Sequence, residues 1–209
     1  MPRPEHLVLV TGTGTGTGKT WVGAQLLAAL RAAGSPVAAR KPVQSFEPGT
    51  ETTDADVLAL ATGERPVDVC PEHRWYEVPM APPMAAEILG RPEFGVEDLV
   101  TELRWPEDVR YGLVEGVGGP RSPLASTGDT VVLARALEPD SVVLVASPEL
   151  GTINAVLLAV AALDHREPVV FLNRYGDENP LHARNAQWLR SREGLDVVTS
   201  VDSLVSRLG

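Results

Sequence analysis

The sequence predicts an α/β fold in which a parallel β-sheet is covered by helices on both faces. Two observations predict it. Short apolar segments alternate along the chain with segments whose apolar residues recur at helical spacing. The short segments are also continuously apolar, which is typical of parallel strands that are buried on both faces. Because ligands of such sheets bind at the carboxyl ends of the strands, functional residues are expected at those ends.

The first half of the chain begins with a strand over residues 7–10, a run of Leu and Val. A helix over residues 20–33 follows, since its apolar positions recur at intervals of about three and four residues. Residues 37–43 form a second strand and residues 44–53 a polar loop. A helix over residues 54–61 then begins after polar residues that are typical helix caps.

The middle of the chain, residues 64–110, is irregular because prolines interrupt it. Two helices are predicted there, over residues 84–89 and 96–104. The remaining strands are predicted over residues 111–115, 142–146, 169–173 and 197–200. The remaining helices are predicted over residues 130–137, 153–163 and 181–192, with a last turn over residues 204–208.

Composition limits the possible functions. The 209 residues are 44% hydrophobic and 22% charged, so we expect one globular domain over residues 1–209. Asp and Glu number 28 against 18 Lys and Arg, which argues against a nucleic-acid or membrane-surface partner. The single cysteine, Cys70, indicates a reducing compartment. We see no signal peptide or membrane span, and we therefore expect a cytoplasmic protein.

A glycine- and threonine-rich loop, residues 12–20, separates the first strand from the first helix. Its glycines let several backbone N–H groups face one phosphate, and the helix N-terminus adds a partial positive charge. Lysine there reaches the β- and γ-phosphates, and the following threonine offers a hydroxyl to Mg²⁺. The nucleotide-binding residues predicted in this loop are Gly14, Thr15, Gly16, Thr17, Gly18, Lys19 and Thr20.

The spacing of this loop separates it from one class of nucleotide switch. The first glycine is Gly12, one residue earlier than in the common form, so the loop is one residue longer. Partition-type ATPases carry a signature lysine five residues before the lysine of the Gly-Lys pair. Gly14 holds that place here, which disfavours a partition or septum-site switch.

Three charged residues follow predicted strands or open helices close to this loop. Lys41 begins the segment 41–45 that ends the second strand, where it would point at the same crevice as Lys19. Glu115 ends a strand and precedes glycines, as does the acidic group that serves Mg²⁺ in nucleotide hydrolases. Asp54 opens a helix, and there it is either a metal ligand or a helix cap, the cap being the commoner use.

Together these residues resemble the dethiobiotin synthetase family. The resemblance covers nearly the whole chain and rests on the long phosphate loop and on three segments, Lys-Pro-Val at 41–43, Glu-Gly-x-Gly-Gly at 115–119 and Leu-Gly-Thr-Ile-Asn at 150–154. It implies a three-layer sandwich of the P-loop NTPase type and a homodimer. The implied enzyme uses ATP and Mg²⁺ to join CO₂ to 7,8-diaminononanoate and close the cyclic urea of dethiobiotin through a carbamate and a carbamic–phosphoric anhydride.

The resemblance also implies roles for individual residues. The metal ligands it implies are Thr20, Asp54 and Glu115. The nucleotide contacts outside the loop are Asp54, Glu115, Gly116, Gly118 and Asn173, the last of which reads the base. The catalytic residues are Thr15, Lys19 and Lys41. The substrate contacts are Thr15, Lys41, Ser45 and, across the dimer interface, Gly151, Thr152 and Asn154.

Two other functions fit a phosphate loop. An amidase-type synthetase carries an added glutaminase domain, for which 209 residues leave no room. A regulatory nucleotide switch acts through a partner protein, and it remains an alternative that substrate-dependent ADP release would exclude. Two local questions also stay open. Residues 80–84 either form an apolar wall for an aliphatic substrate or pack a helix start. Arg121 and Ser122 are candidates to touch phosphate or substrate, and a solvated loop is the alternative for Arg121. Cys70 is expected to be inert.

Overall fold

A parallel sheet of six strands forms the middle layer of the protein. The structure, a computed structural model, describes residues 3–163 and 166–208. In chain order the strands are β1 (His6–Gly12), β2 (Val37–Arg40), β3 (Gln44–Ser45), β4 (Trp75–Tyr76), β5 (Tyr111–Glu115), β6 (Pro123–Ala125), β7 (Gly128–Asp129), β8 (Ser141–Ala146), β9 (Val169–Leu172) and β10 (Val197–Val198). The α-helices are α1 (Lys19–Ala32), α2 (Asp54–Thr62), α3 (Pro66–Val69), α4 (Pro82–Ile88), α5 (Val96–Glu102), α6 (Thr130–Leu137), α7 (Thr152–Ala162), α8 (Pro180–Ser191) and α9 (Val201–Leu208).

The strand order of the main sheet is β10-β9-β8-β1-β5-β2, and every pair is parallel. In the central strand β1, Val8 and Val10 point to the face covered by α1, α2 and α9. Leu7 and Leu9 point to the opposite face, which α4, α5 and α6 cover near β1. Successive side chains of a strand alternate between faces, so a continuously apolar strand requires both faces to be covered. The predicted fold class is therefore confirmed.

The structure corrects several predicted boundaries. The second strand ends at Arg40 and not at residue 43, because the Lys41 N–H donates to Val69 O at 2.9 Å and leaves the sheet. The C-terminal segment predicted as a turn over residues 204–208 is helix α9, which buries Leu204 and Leu208 on one face. The strand predicted over residues 197–200 is only Val197–Val198.

The structure also contains elements that were not predicted. β3 pairs with β4 and β6 with β7 as separate two-stranded sheets, and α3 is a single helical turn. Elements of two to four residues are too short to show a hydrophobic period. In the described ranges, no helix combines the length and the apolar character that crossing a membrane requires.

Candidate active site

The loop between β1 and α1 lies at the carboxyl end of the central strand, and the space beside two of its glycines is open. A side chain at Gly14 or Gly16 would meet no described atom within 4 Å, so both positions are open to a ligand. Gly18 caps α1 with φ of 92°, and a Cβ there would lie 2.1 Å from Asn173 Nδ2. Only glycine fits at position 18 because of both the backbone conformation and this close approach.

Asn173 braces the loop from the end of β9, two strands away from β1 in the sheet. Its Nδ2 donates to Thr17 O at 2.9 Å, and its Oδ1 accepts from the Arg174 N–H at 3.0 Å. The residue is buried, at 5% exposure. The structure thus brings Asn173 to the phosphate loop through its Nδ2, while its Oδ1 is held by the backbone of the next residue. Its role in reading a base stays a prediction.

Lys19 and Thr17 both hold the same carbonyl of the loop. Lys19 Nζ donates to Gly14 O at 3.1 Å and Thr17 Oγ1 donates to it at 3.2 Å. Burial and the nearby Lys41 ammonium lower the pKa of Lys19, although Glu115 and Asp54 oppose that shift. A buried ammonium on a curled, glycine-rich loop is suited to phosphate oxygens.

Three elements bring oxygen atoms together beside Lys19. Thr20 Oγ1, in the first turn of α1, lies 2.9 Å from Asp54 Oδ1 at the start of α2 and 3.0 Å from Glu115 Oε1 at the end of β5. A hydroxyl carries one proton, so it donates to one of these carboxylates. The structure therefore unites the three residues that the resemblance names as metal ligands.

Thr53, and not Asp54, caps α2. The Thr53 hydroxyl accepts from the Asp56 N–H at 3.4 Å, and the Asp56 carboxylate accepts from the Thr53 N–H at 2.8 Å. This reciprocal pair is a capping box. The carboxylate of Asp54 is left to face the site, which decides against the interpretation of Asp54 as a cap. The Lys41 ammonium lowers the pKa of Asp54.

Lys41 is buried between the two carboxylates. Its Nζ lies 2.6 Å from Glu115 Oε1 and 2.7 Å from Asp54 Oδ2, and it donates to Gly116 O at 3.2 Å. Burial alone would lower the pKa of Lys41, but the Glu115 and Asp54 carboxylates raise it overall. Lys41 is therefore an ammonium at the base of the crevice, as the sequence predicts.

Glu115 provides a test of whether the site suits Mg²⁺. The residue is fully buried, and its Oε2 has no hydrogen-bond partner among residues 3–163 and 166–208. Burial raises the pKa of Glu115, and Lys41 opposes the rise. An unpartnered carboxylate oxygen beside Thr20 and Asp54 gives the hard oxygen donors that Mg²⁺ prefers. The residues fit this ion with two carboxylates and a hydroxyl, since the described ranges hold no group of three or more His, Cys, Asp or Glu side chains that could bind a metal ion.

An open cavity of about 770 Å³ lies above this cluster. That volume is typical of a site for a cofactor-sized ligand. Predicted residues that line it are Thr15, Gly16, Gly18, Lys19, Thr20, Lys41, Ser45, Asp54, Glu115 and Gly118. Ser122, which follows the glycines after β5, lines it as well, and lining residues that the sequence analysis missed include Trp21, Gln44, Thr52 and Arg174. Arg174 directly follows Asn173, and its position next to a strand end is the one signal that could have found it.

The glycines after β5 are required by packing. A Cβ at Gly116 would lie 2.6 Å from Thr130 Oγ1, and one at Gly118 would lie 2.3 Å from Ser122 Oγ. Ser122 Oγ accepts from the Gly119 N–H at 2.9 Å, which closes this turn. The turn holds Gly118 at the edge of the cavity, while Gly116 contributes its carbonyl to Lys41.

Ser45 and the segment after β4 form another part of the cavity wall. Ser45 Oγ donates to Met80 O at 2.6 Å. The cavity is lined by residues 79–82 but not by Met84, so only part of the predicted apolar wall faces it. Arg121 forms an ion pair with Asp129 at 2.9 Å, with its side chain 70% exposed.

The segment 150–154 lies apart from this cavity. Gly151, with φ of 94°, caps α7, and Leu150 and Asn154 are exposed. Thr152 is buried, and its Oγ1 has no hydrogen-bond partner in the part of the chain that the structure describes. None of these residues lines the cavity of the same chain. A single described chain therefore does not unite them with Lys41 and Glu115.

Cys70 is unsuited to nucleophilic chemistry. It lies in the core, and burial raises the pKa of its thiol to about 12. A protonated thiol is a weak nucleophile, in agreement with the expectation that it is inert.

Comparison with known proteins adds independent findings. Residues 6–206 match a family model described as an AAA domain. The chain is 38% identical to the ATP-dependent dethiobiotin synthetase BioD of Rhodococcus jostii (strain RHA1), over 97% of this chain and 88% of that protein. It is 37% identical to the protein of the same name from Anaeromyxobacter dehalogenans (strain 2CP-1 / ATCC BAA-258), over 97% of this chain and 96% of that one.

Solved structures are similar in fold. The signal recognition particle receptor FtsY from Elizabethkingia anophelis superposes with a TM-score of 0.52 at 13% identity, over 94% of this chain and 58% of that one. The signal recognition particle 54 kDa protein from Aeropyrum pernix K1 superposes with a TM-score of 0.51 at 17% identity, over 100% of this chain and 50% of that one. At these identities the likeness concerns the fold alone, which is a P-loop NTPase-type sandwich.

Proposed function

The chain belongs to the ATP-dependent dethiobiotin synthetase family, and on that premise we propose that its cavity converts 7,8-diaminononanoate, CO₂ and ATP to dethiobiotin, ADP and phosphate. One observation carries the proposal. Lys41 lies between Asp54 and Glu115 beside the phosphate loop, so an ammonium, a lysine-bearing loop and two carboxylates converge on one open cavity.

The reaction has three steps, each of which this site can serve. A neutral amine of the substrate attacks CO₂ and loses a proton, which gives a carbamate. A carbamate oxygen then attacks the γ-phosphorus of ATP in line, and ADP leaves. The second amine attacks the carbamoyl carbon of the resulting anhydride, loses a proton and expels phosphate, so that the urea ring closes.

The protein contributes positive charge and position, and no nucleophilic side chain is needed. Cationic groups near the diamine favour its neutral form and stabilise the carbamate anion. Lys19 lies on the phosphate loop, where it offsets charge on the phosphoryl oxygens. Lys41 lines the same cavity, and it would contribute its charge where carbamate and γ-phosphate meet. Thr15 and Ser45 line the same space. The Thr15 hydroxyl can donate to the carbamate, and Ser45 would do so by exchanging its bond to Met80 O.

Mg²⁺ would be held by Thr20, Asp54 and Glu115. When bound, it supplies charge neutralisation for phosphoryl transfer. The support for this assignment is the unpartnered Glu115 Oε2 beside the Thr20 hydroxyl. Asp54 can supply the second carboxylate because Thr53, and not Asp54, caps α2.

The protein would act as a homodimer in which residues 150–154 of one chain reach the cavity of the other. Leu150, just before α7, and Leu158, within it, are large apolar residues at 89% and 64% exposure, and Asn154 lies one turn before Leu158 on the helix. An apolar face of this kind is suited to burial against a second copy. The start of α7, with Gly151, Thr152 and Asn154, would bind the carboxylate at the far end of the substrate.

Measurement of ADP release with and without diaminononanoate plus bicarbonate tests the proposed function. We expect ADP release that depends on both substrates, together with dethiobiotin detected by mass spectrometry. ADP release that does not depend on the diamine and is stimulated by a partner protein would instead support the regulatory nucleotide switch. Lys19→Ala serves as the control for contaminating ATPases.

A further inference from the structure

Helix α8 carries two buried polar side chains that the proposed reaction does not use. His182 and Asn185 are 5% and 7% exposed, and they lie three residues apart on one face of the helix. Burying polar groups costs free energy unless they form hydrogen bonds. Their bonds go to two loops, the β8–α7 loop (residues 147–151) and the β9–α8 loop (residues 173–179).

His182 bonds to both loops at once. Its Nδ1 accepts from the Gly176 N–H of the β9–α8 loop at 2.9 Å, and its Nε2 lies 3.2 Å from Glu149 Oε1 of the β8–α7 loop. A backbone N–H can only donate, so the partners assign the ring proton to Nε2, which donates to the carboxylate. One imidazole therefore ties the two loops together.

Asn185 holds only one of these loops. Its Nδ2 donates to Pro148 O at 2.8 Å and lies 3.3 Å from Glu149 O. Both carbonyls belong to the β8–α7 loop, which leads directly into Gly151 and the first turn of α7. The β9–α8 loop instead begins with Asn173, whose Nδ2 donates to Thr17 O of the phosphate loop.

We infer that His182 is a positioning residue that couples the nucleotide loop to the start of α7, and that Asn185 positions the start of α7 alone. The inference rests on the proposed function, because residues 150–154 are there assigned to the substrate tail. Through Gly176 and Asn173, His182 orders the segment that braces the phosphate loop. Through Glu149, it orders the turn that presents Gly151, Thr152 and Asn154.

The two bonds of His182 can be removed one at a time. In His182→Asn, the shorter amide places an acceptor near the former Nδ1 but cannot reach Glu149. In His182→Gln, the longer amide places a donor near the former Nε2 and gives up the bond to the Gly176 N–H. We expect His182→Asn to raise the KM for diaminononanoate about two- to tenfold with little change in the KM for ATP, the factor that one lost hydrogen bond allows.

His182→Gln is expected to do the opposite, raising the KM and Kd for ATP about two- to tenfold while leaving the KM for the diamine nearly unchanged. Glu149 is exposed, so Glu149→Ala should fold normally and reproduce the effect of His182→Asn. Gln187→Ala, at an exposed position of the same helix, is the matched control and should change neither constant.

The inference would be overturned if both His182 variants raised the KM for ATP and the KM for the diamine alike. It would also be overturned if neither variant raised either constant. Thermal unfolding of each variant identifies a loss of folding. If a His182 variant does not fold, the KM for the diamine in Glu149→Ala tests whether the bond to Glu149 affects substrate binding. If the wild-type protein binds ATP but forms no dethiobiotin, the proposed function fails. In that case a Kd for ATP that rises in His182→Gln and not in His182→Asn still supports the coupling, and equal values overturn it.

Discussion

Lys41 and Glu115 form an ion pair at the base of the cavity, with Nζ 2.6 Å from Oε1 and side chains that are 3% and 0% exposed. Asp54 shares the same ammonium at 2.7 Å. Charges this deeply buried persist only when they are paired and hydrogen-bonded. Lys41, which is assigned to carbamate phosphorylation, is therefore bound to Asp54 and Glu115, which are assigned to the metal. A substitution at any one of the three also changes the surroundings of the others.

Replacing Lys41 with Met should abolish most ring closure and keep the Kd for ATP within about tenfold, because its charge matters most where carbamate meets phosphate. The substitution also leaves Glu115 buried without its cation, which lowers the free energy of unfolding by about 3–5 kcal/mol. Chemical denaturation should show that adding Glu115→Gln to Lys41→Met recovers much of the lost free energy of unfolding. An assay of ADP release should show that turnover does not return in the double variant. Normal substrate-dependent turnover in Lys41→Met would contradict the assignment.

Asp54→Asn should raise the Mg²⁺ concentration needed for half-maximal activity by about tenfold or more, because it removes a hard anionic oxygen. Glu115→Gln should act in the same direction. Thr53→Ala is the matched control, since it removes the cap of α2 and costs about 1 kcal/mol of stability without touching the metal. A Mg²⁺ titration of ADP release compares them. An unchanged requirement in Asp54→Asn would mean that this carboxylate serves only Lys41.

Asp54 illustrates how far sequence reasoning reaches. The loop residues Lys19 and Thr20 are predictable because their chemistry follows from spacing within one short segment. The role of Asp54 is not, because an acidic residue at a helix start is either cap or ligand, and here a reciprocal bond between Thr53 and Asp56 decides it. That choice depends on side-chain geometry that the sequence pattern leaves open.

The missed residues have a related cause. Gln44, which accepts from the Ala55 N–H at 3.0 Å, and Arg174 reach the cavity from loops whose course depends on packing. The sheet itself follows from continuously apolar strands. The C-terminal helix α9 was predicted only as a turn, although Val201, Leu204, Val205 and Leu208 recur at helical spacing and pack against the core.

Lys19→Ala should lower the rate of substrate-dependent ADP release by about 10²–10³, the loss typical of removing one donor to developing charge. It should also weaken ATP binding, since the ammonium contacts phosphate before the reaction as well. Steady-state kinetics and equilibrium binding of ATP measure the two effects separately. Near-normal turnover would be incompatible with the phosphate-loop assignment.

ATP affinity should fall as pH rises through the alkaline range. Burial and Lys41 lower the pKa of Lys19 in the free protein, so it loses its proton at a lower pH than an ordinary lysine, and its neutral form attracts phosphate less. Lys41 stays charged because the carboxylates raise its pKa. Lys19→Arg remains protonated throughout, and its Kd for ATP, measured from about pH 7 to 10, should stay level where the wild-type value rises. Parallel curves would exclude Lys19 as the titrating group.

Asn154 provides the test of the shared site. It is exposed at the start of α7 and does not line the cavity of its own chain, and the proposed contact with substrate is therefore made in the cavity of a second copy. We expect Asn154→Ala to raise the KM for diaminononanoate more than the KM for ATP. Mixing Asn154→Ala chains with inactive Lys41→Met chains should then restore activity at low diamine concentration, because each mixed dimer holds one cavity with Lys41 from one chain and Asn154 from the other. Random pairing makes half of the dimers mixed, so roughly one quarter of wild-type activity should return. If mixed dimers form, as verified by a tag on one chain, and no activity returns, the two residues do not share a site, and the phosphate chemistry of Lys19 and Lys41 is unaffected by that result.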